Sequence, residues 1–251
     1  MTTTFGRIAY ETLDVCNGVE MATIEAAVAR TGLGQGAQAV DIGTGNAGVA
    51  VRLSQTFGLE VTAIEFDPVM AELAAARIAA AGGGVDLVLG SAAEVLKQRR
   101  PFDLVVGLGT TNLTGEGRPS PEAGFGFLKR HVRPGGWLLW GDLVWRGEPS
   151  VPLRQVVEAT NQYTDDKGWV AAAQSAGFTL EWREISSQTV FDAYARDAVG
   201  AARSWLEAHP DTPEADTVRF HADRMQAVFE FGHGLIGFGL YLFRAPVPDN
   251  R

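Results

Sequence analysis

The sequence predicts an α/β fold built on a mostly parallel sheet with helices on both faces. Three observations carry that expectation. Short apolar runs alternate with longer helical patterns from residue 38 onward. The short runs are nearly continuous in apolar residues, as strands buried on both faces must be. Glycine and proline clusters fall at the junctions. The strand candidates are 38–43, 60–65, 85–90, 102–108 and 136–142. Between them, 68–81 is rich in Ala with Pro68 at its first turn, and 120–132 is amphipathic; both read as helices. Gly82-Gly83-Gly84 ends the first of these, and Pro134-Gly135-Gly136 turns into a strand.

After residue 145 the pattern changes. Residues 151–176 read as two helices interrupted near Asp165-Asp166, and 178–187 alternate Phe, Leu, Trp and Ile with polar residues, as a half-buried edge strand does. Residues 188–235 are helical in pattern except near His209-Pro210, and 236–244 make a last strand. A further helix falls at about 18–30. The economical organisation is one domain over 1–251. It has an N-terminal segment (1–33), a core (38–187), a helical cap inserted before the last strand (188–235) and that strand (236–244).

Composition narrows the partners. The 251 residues suffice for one sizeable core, and 46% hydrophobic with 20% charged residues is a globular profile. The formal charge is −9, with no basic run longer than Arg99-Arg100, which argues against a nucleic-acid-binding face. No apolar stretch approaches the roughly 20 residues that span a bilayer, and residues 1–10 lack the apolar core of a secretory leader. Cys16 is the single cysteine, which excludes an internal disulfide and fits a reducing cytoplasm. It reads as a small part-buried residue rather than a nucleophile. A cytoplasmic protein with no membrane or nucleic-acid partner is the expectation, and the spacing of His221 and His233, with no cysteine pair beside them, argues against a metal.

The chemistry-bearing stretch is Val40-Asp41-Ile42-Gly43-Thr44-Gly45-Asn46-Ala47-Gly48. A strand ends, a glycine-rich turn follows, and a helix begins near Ala47. Glycines let the chain turn sharply and let a ligand approach where a Cβ would collide. Amides at the helix start are then open to the ligand. Gly43, Gly45 and Gly48 also satisfy G-x-G-x-x-G, a weak signal alone. Glu65 closes the next strand 22 residues after Gly43, where an acid holds a ribose diol. Gly90-Ser91-Ala92-Ala93-Glu94 then reaches the same carboxyl edge of the sheet. Together the three features indicate a nucleoside. Asp41 beside the glycines disfavours a pyrophosphate; S-adenosylmethionine (SAM), with an ammonium and a sulfonium, suits an acidic loop.

At these residues the chain resembles the class I SAM-dependent methyltransferases over 38–142. Asp41-Ile42-Gly43-Thr44-Gly45 resembles the family's first motif, and Ile64-Glu65-Phe66-Asp67-Pro68 its acidic ribose motif. Phe102-Asp103-Leu104-Val105-Val106 resembles the fourth-strand motif, and Arg133-Pro134-Gly135-Gly136 the turn into strand five. The resemblance implies a Rossmann-like seven-stranded sheet whose last strand, 236–244, is antiparallel. It implies SAM as cofactor and S-adenosyl-L-homocysteine (SAH) as product. The whole layout is also similar to bacterial small-molecule methyltransferases with a helical insertion before the last strand. Two departures stand out. Ala47 occupies the third glycine position, with Gly48 following, and Ser91 stands where the family often has an acid.

The cofactor set is therefore Asp41, Gly43, Thr44, Gly45, Asn46, Glu65, Phe66, Ser91, Ala92, Ala93, Gly107, Leu108 and Gly109. Residues 107–112 are expected at the methyl end, with Asp142 and Trp145 facing the same pocket. Methyl transfer asks the protein mainly to align nucleophile and methyl and to exclude water, with a base as an optional aid. His233, before the last strand, is the base candidate, set against a purely structural role in the cap. In this superfamily the leading segment often closes over SAM, which brings Tyr10 and Glu11 into the catalytic set with His233 and Asp142. Aromatic residues crowding 188–235 read as core or as walls of an apolar cavity. O, N, S and C acceptors all remain compatible.

One rival is an NAD(P)-dependent oxidoreductase, which can cite Gly43-x-Gly45-x-x-Gly48 and Tyr163-x-x-x-Lys167 with Ser150 upstream. Another is a non-catalytic binding protein on the same fold.

Overall fold

The computed structural model describes residues 3–111, 113–114 and 117–247. The first half of the chain forms α1 (Phe5–Tyr10), α2 (Met21–Ala29), β1 (Gln38–Ile42), α3 (Gly48–Phe57), β2 (Glu60–Glu65), α4 (Pro68–Ala80), β3 (Val85–Leu89), α5 (Ala92–Val95) and β4 (Phe102–Leu108). The second half forms α6 (Pro121–Lys129), β5 (Val132–Trp145), α7 (Val151–Val157), β6 (Thr164–Asp165), α8 (Asp166–Ser175), β7 (Thr179–Ile185), α9 (Gln188–Ala208), α10 (Ala215–Phe231) and β8 (Ile236–Arg244).

Helix starts follow their local chemistry. Asp67 caps α4 by accepting from Val69 N–H, with Pro68 at the first turn. Ser120 caps α6 in the same way, with Pro121 following it. Asp165 caps α8, and Ser187 caps α9. The break at His209-Pro210 separates the two cap helices as the sequence implies.

The strand order is β3-β2-β1-β4-β5-β8-β7. Every pairing in the first five strands is parallel, and β8 runs antiparallel to both neighbours. The seven strands of the expected sheet are present, and the two-residue β6 adds an eighth. It pairs with Val144 and Trp145, just where β5 runs past its last β4 partner, Gly141. β5 also starts earlier than its apolar run, at Val132, across an irregular register with Phe102 and Leu104. Edge strand β7 alternates in exposure, whereas β8, held between two strands, is buried through Phe243.

Alternate residues on each central strand feed opposite faces. Ala39, Leu104, Val106, Leu139 and Leu240 join α2 and α3 through Ile24, Val28 and Leu53. Val40, Ile42, Val105, Leu138 and Phe243 join α6 and α8 through Phe125 and Trp169. A third, smaller cluster sits outside the sheet: Ile8 of α1 packs with Ala202, Leu206, Ala215, Val218 and Ala222 of the cap. The first helix thus belongs structurally to the cap, although it ends at Tyr10 and the cap begins at Gln188. That joint cover lies over the carboxyl edge of the sheet.

Candidate functional site

β1 delivers the chain to a turn in which Gly43, Gly45 and Ala47 have φ of 69°, 59° and 59°. Glycine adopts this left-handed region without cost, but Ala47 does so against its Cβ and is the single non-glycine residue there among those described. The displaced third glycine has a steric cause. A Cβ on Gly48 would collide with the Asp14 carbonyl oxygen, so glycine is required at 48, where the N-terminal segment crosses the loop. Asn46 pins that segment: its Nδ2 donates to Tyr10 O (2.8 Å) and Leu13 O (2.7 Å), while its Oδ1 accepts from Gly48 N–H. Asp41 is buried and accepts from Thr44 Oγ1 at 2.6 Å. Its burial pushes its carboxyl up to about 6, opposed by the Thr44 bond. Asp41, Thr44 and Asn46 therefore build the loop, and Gly43 and Gly45 present it to a cavity.

At the end of β2, Glu65 accepts three backbone N–H groups. Its Oε2 takes Gly45 N (2.8 Å), and its Oε1 takes Phe66 N (2.9 Å) and Asp67 N (3.0 Å). Burial raises this carboxyl, and the backbone bonds oppose the rise. Phe66 beside it is 55% exposed, a flat apolar rim. Ser91 and Ala92 line a small recess shared with Gly43, Ile64, Phe66 and Thr110. Ser91 also caps α5 through Glu94 N–H.

The cavity over this edge measures about 400 Å³. Gly43, Gly45, Leu108 and Gly109 form its floor; Glu65, Phe66 and Asp67 close one end; Asp142, Tyr163 and Phe238 close the other. Tyr10 from α1 and Phe191, Tyr194 and Phe229 from the cap roof it. The Tyr10 and Tyr194 hydroxyls lie 3.2 Å apart, and Phe191 and Phe229 pack with ring centres at 4.8 Å. Among the described lining residues there are three carboxylates and no Lys, Arg or His. Asp142 is 2% exposed; its Oδ1 accepts from Leu143 N (2.8 Å), its Oδ2 has no partner, and burial pushes the carboxyl up to about 8.

Several expected residues lie elsewhere. His233 is outside the cavity, its side chain 63% exposed and its Nε2 3.3 Å from Asp192. The short Gly232–Gly234 turn holds it on the outer side of the cap. Glu11 faces solvent and contributes only its carbonyl, to Arg77. Trp145 is buried away from the cavity, donating to Glu158 Oε1. Gly107 lies within β4, where a Cβ would press on Trp140, and Ala93, within α5, packs half-buried against the core. Asn112 lies outside the described residues. The oxidoreductase set does not assemble: Tyr163 lines the cavity, but Lys167 is exposed on α8 and Ser150 caps α7. No three metal-ligating side chains cluster among the described residues.

Met70, Asn17 and Gly18 line the cavity without having been singled out in the sequence. Asn17 donates to Leu108 O at 3.1 Å, and a Cβ on Gly18 would strike the Phe191 ring. No local motif marks them: Asn17 and Gly18 are brought in by the chain crossing over the loop, and Met70 by the first turn of α4.

Residues 39–136 match a family model described as a methyltransferase domain. The ribosomal protein L11 methyltransferases of Brucella suis and Brucella abortus are each 30% identical over 140 residues, 53% of this chain and 46% of theirs. The chain thus aligns with about half the length of these relatives. Among solved structures, a SAM-dependent methyltransferase from Thiobacillus denitrificans in complex with SAH superposes with a TM-score of 0.81 at 21% identity, covering 97% of this chain and 99% of that one. One from Geobacter sulfurreducens, also with SAH, gives 0.80 at 20% identity, covering 95% and 96%. At such identities the likeness is one of fold.

Proposed function

We propose that this chain, whose residues 39–136 match a methyltransferase domain and lie within a methyltransferase-like fold, transfers a methyl group from SAM to a small molecule. The observation that carries the reading is the cavity's charge: carboxylates at both ends, a glycine floor, and no described cationic side chain in its lining. A pyrophosphate would find no cationic side chain to neutralise it there, whereas carboxyl groups favour an ammonium and a sulfonium.

Glu65 would hold the ribose, Gly43 and Gly45 would let the cofactor approach the backbone, and Ser91 and Ala92 would border the adenine. Leu108 and Gly109 would flank the methyl end. When bound, the cofactor supplies a methyl group already activated by positive sulfur. The chain's own work is to bind, orient and exclude water. Tyr10, Tyr194, Phe191 and Phe229 do the last of these, as an apolar cover made from both ends of the sequence.

A small acceptor is favoured by the same cover. The cavity is within the size range of small-ligand pockets and has a roof of packed rings rather than an open groove. A protein acceptor, the substrate named for the Brucella relatives, would need a segment to enter beneath that roof. The test is to incubate the protein with tritiated-methyl SAM and an extract of its source cells, then separate small molecules from macromolecules by ultrafiltration. Label in the small-molecule fraction is the expected result. Label confined to protein would contradict the acceptor class.

A further inference from the structure

Asp142 is the buried carboxyl that the cofactor site leaves unexplained. It stands on β5, next to Gly141, whose carbonyl takes the Gly109 N–H at 2.7 Å. Glu65 stands on β2, three strands away across β1 and β4. At about 4.8 Å per strand spacing, the two carboxyls are separated by about 14 Å. A nucleoside gripped at Glu65 and passing over the glycine floor therefore presents its far end toward Asp142, with Tyr163 and Phe238 beside it.

Beside Asp142 lies a second, small cavity of about 20 Å³, also lined by Thr110, Trp140 and Asn161. Three of its lining residues carry a buried polar atom without a partner: Asp142 Oδ2, Trp140 Nε1 and Asn161 Oδ1. Their chemistry is complementary to one water. The indole N–H donates to its oxygen, and its two hydrogens serve the two acceptor oxygens. The volume also suits a single water, and such sites carry about three hydrogen bonds.

We propose that Asp142 binds the ammonium of an amine methyl acceptor, and that one water held between Trp140 and Asn161 braces its second oxygen. This rests on the methyltransferase reading given above. A carboxyl in this position lacks a countercharge, and burial without one is what drives it toward its neutral form. An acceptor ammonium supplies that countercharge, while Phe191, Tyr194 and Phe229 suit an apolar body and stabilise a nearby cation. Passing one proton from the ammonium nitrogen to Asp142 leaves a neutral amine and a neutral carboxylic acid, freeing the nitrogen lone pair. Trp140 and Asn161 are positioning residues in this scheme, acting through the water.

The test uses SAH-loaded protein and benzylamine, an apolar ring bearing an ammonium, with benzyl alcohol as the uncharged comparison. By calorimetry, Asp142→Asn is expected to weaken benzylamine by about tenfold or more and to leave benzyl alcohol unchanged, with SAH affinity within about threefold of wild type. Equal benzylamine binding in both proteins, or none in wild type, overturns the proposal. So does a larger loss of SAH affinity, which would assign Asp142 to the cofactor. If wild type fails to bind SAH at all, it is the methyltransferase reading that fails. A crystal structure of the wild-type complex tests the same points without a variant. Nitrogen density at Asp142 and one water within reach of Trp140 Nε1 and Asn161 Oδ1 support the proposal; nitrogen placed elsewhere, or a dry second cavity, overturns it.

Discussion

Two buried carboxyls mark the ends of the cavity, and they are built in opposite ways. Glu65 is completed by its own neighbourhood, with three backbone N–H groups from Gly45, Phe66 and Asp67 converging on it. Asp142 receives one, from Leu143, and keeps a free oxygen. The first end is preorganised by short-range chain geometry. The second is left to be satisfied by what enters it. On the proposed reading, rigid cofactor recognition and adjustable acceptor recognition share one sheet edge.

The largest expected effect lies at the preorganised end. Gly45→Val would place a β-branched residue at φ 59°, with its Cβ 3.3 Å from Cys16 Sγ and its methyls in the cavity. The backbone strain alone is about 1–2 kcal/mol. SAH binding should fall by about a hundredfold or more, read by calorimetry beside a melting curve; retained binding would break the view of the loop as a fixed cradle. Glu65→Ala comes next. It strands three N–H groups and removes the ribose acceptor, so SAM should weaken by about 1.5–3 kcal/mol, roughly tenfold or more. Unchanged affinity in a folded variant would place the ribose elsewhere.

At the unfinished end, the expected effect is a pH dependence of stability. Native Asp142 titrates near 8 against an ordinary value of 3.8. The native state therefore binds this proton more tightly than the unfolded chain. Stability is fully present below the ordinary value and is lost as pH rises toward 8. Tyr163, the titratable neighbour lining the same end, has its hydroxyl pushed upward by burial and stays neutral across this window. Ligand-free Asp142→Asn should gain on wild type by on the order of 2 kcal/mol between about pH 5 and pH 8. Parallel melting profiles would show that burial does not hold the Asp142 carboxyl in its neutral form. The smallest effect is at Ala47. Ala47→Gly relieves a left-handed Ala, at some cost in unfolded-chain entropy, and should stabilise by about 0.5–1 kcal/mol, a rise in Tm of about 1–4 °C. A loss of stability would show that the Cβ makes compensating contacts.

The same division explains what the sequence made legible. The cofactor half is written in contiguous stretches: 41–48, 64–68 and 90–93 fold into the elements that their spacing implies. The boundaries of α4, α6, α9 and α10 were similarly marked by Pro68, Ser120, Ser187 and the His209-Pro210 break. The end proposed for the acceptor is assembled from residues 5–18, 142, 163 and 191–238, which no local pattern relates. His233 illustrates the consequence. Its nearness to the last strand suggested a base, but chain proximity to β8 does not fix which side of the cap a turn faces, and it pairs with Asp192 outside. Glu11 failed for the same reason, since one residue beyond Tyr10 the side chain already points to solvent. β6 escaped notice because two residues carry no periodicity.

The central claim is that a carboxylate-bearing, glycine-floored cavity takes a cationic nucleoside and not a phosphorylated one. Isothermal titration of the purified chain with SAM, SAH, NADH and NADPH tests it most directly. Micromolar binding of SAM and SAH, with no saturable heat from either dinucleotide, is the expected result. Tight binding of NADPH without binding of SAM or SAH would contradict the account.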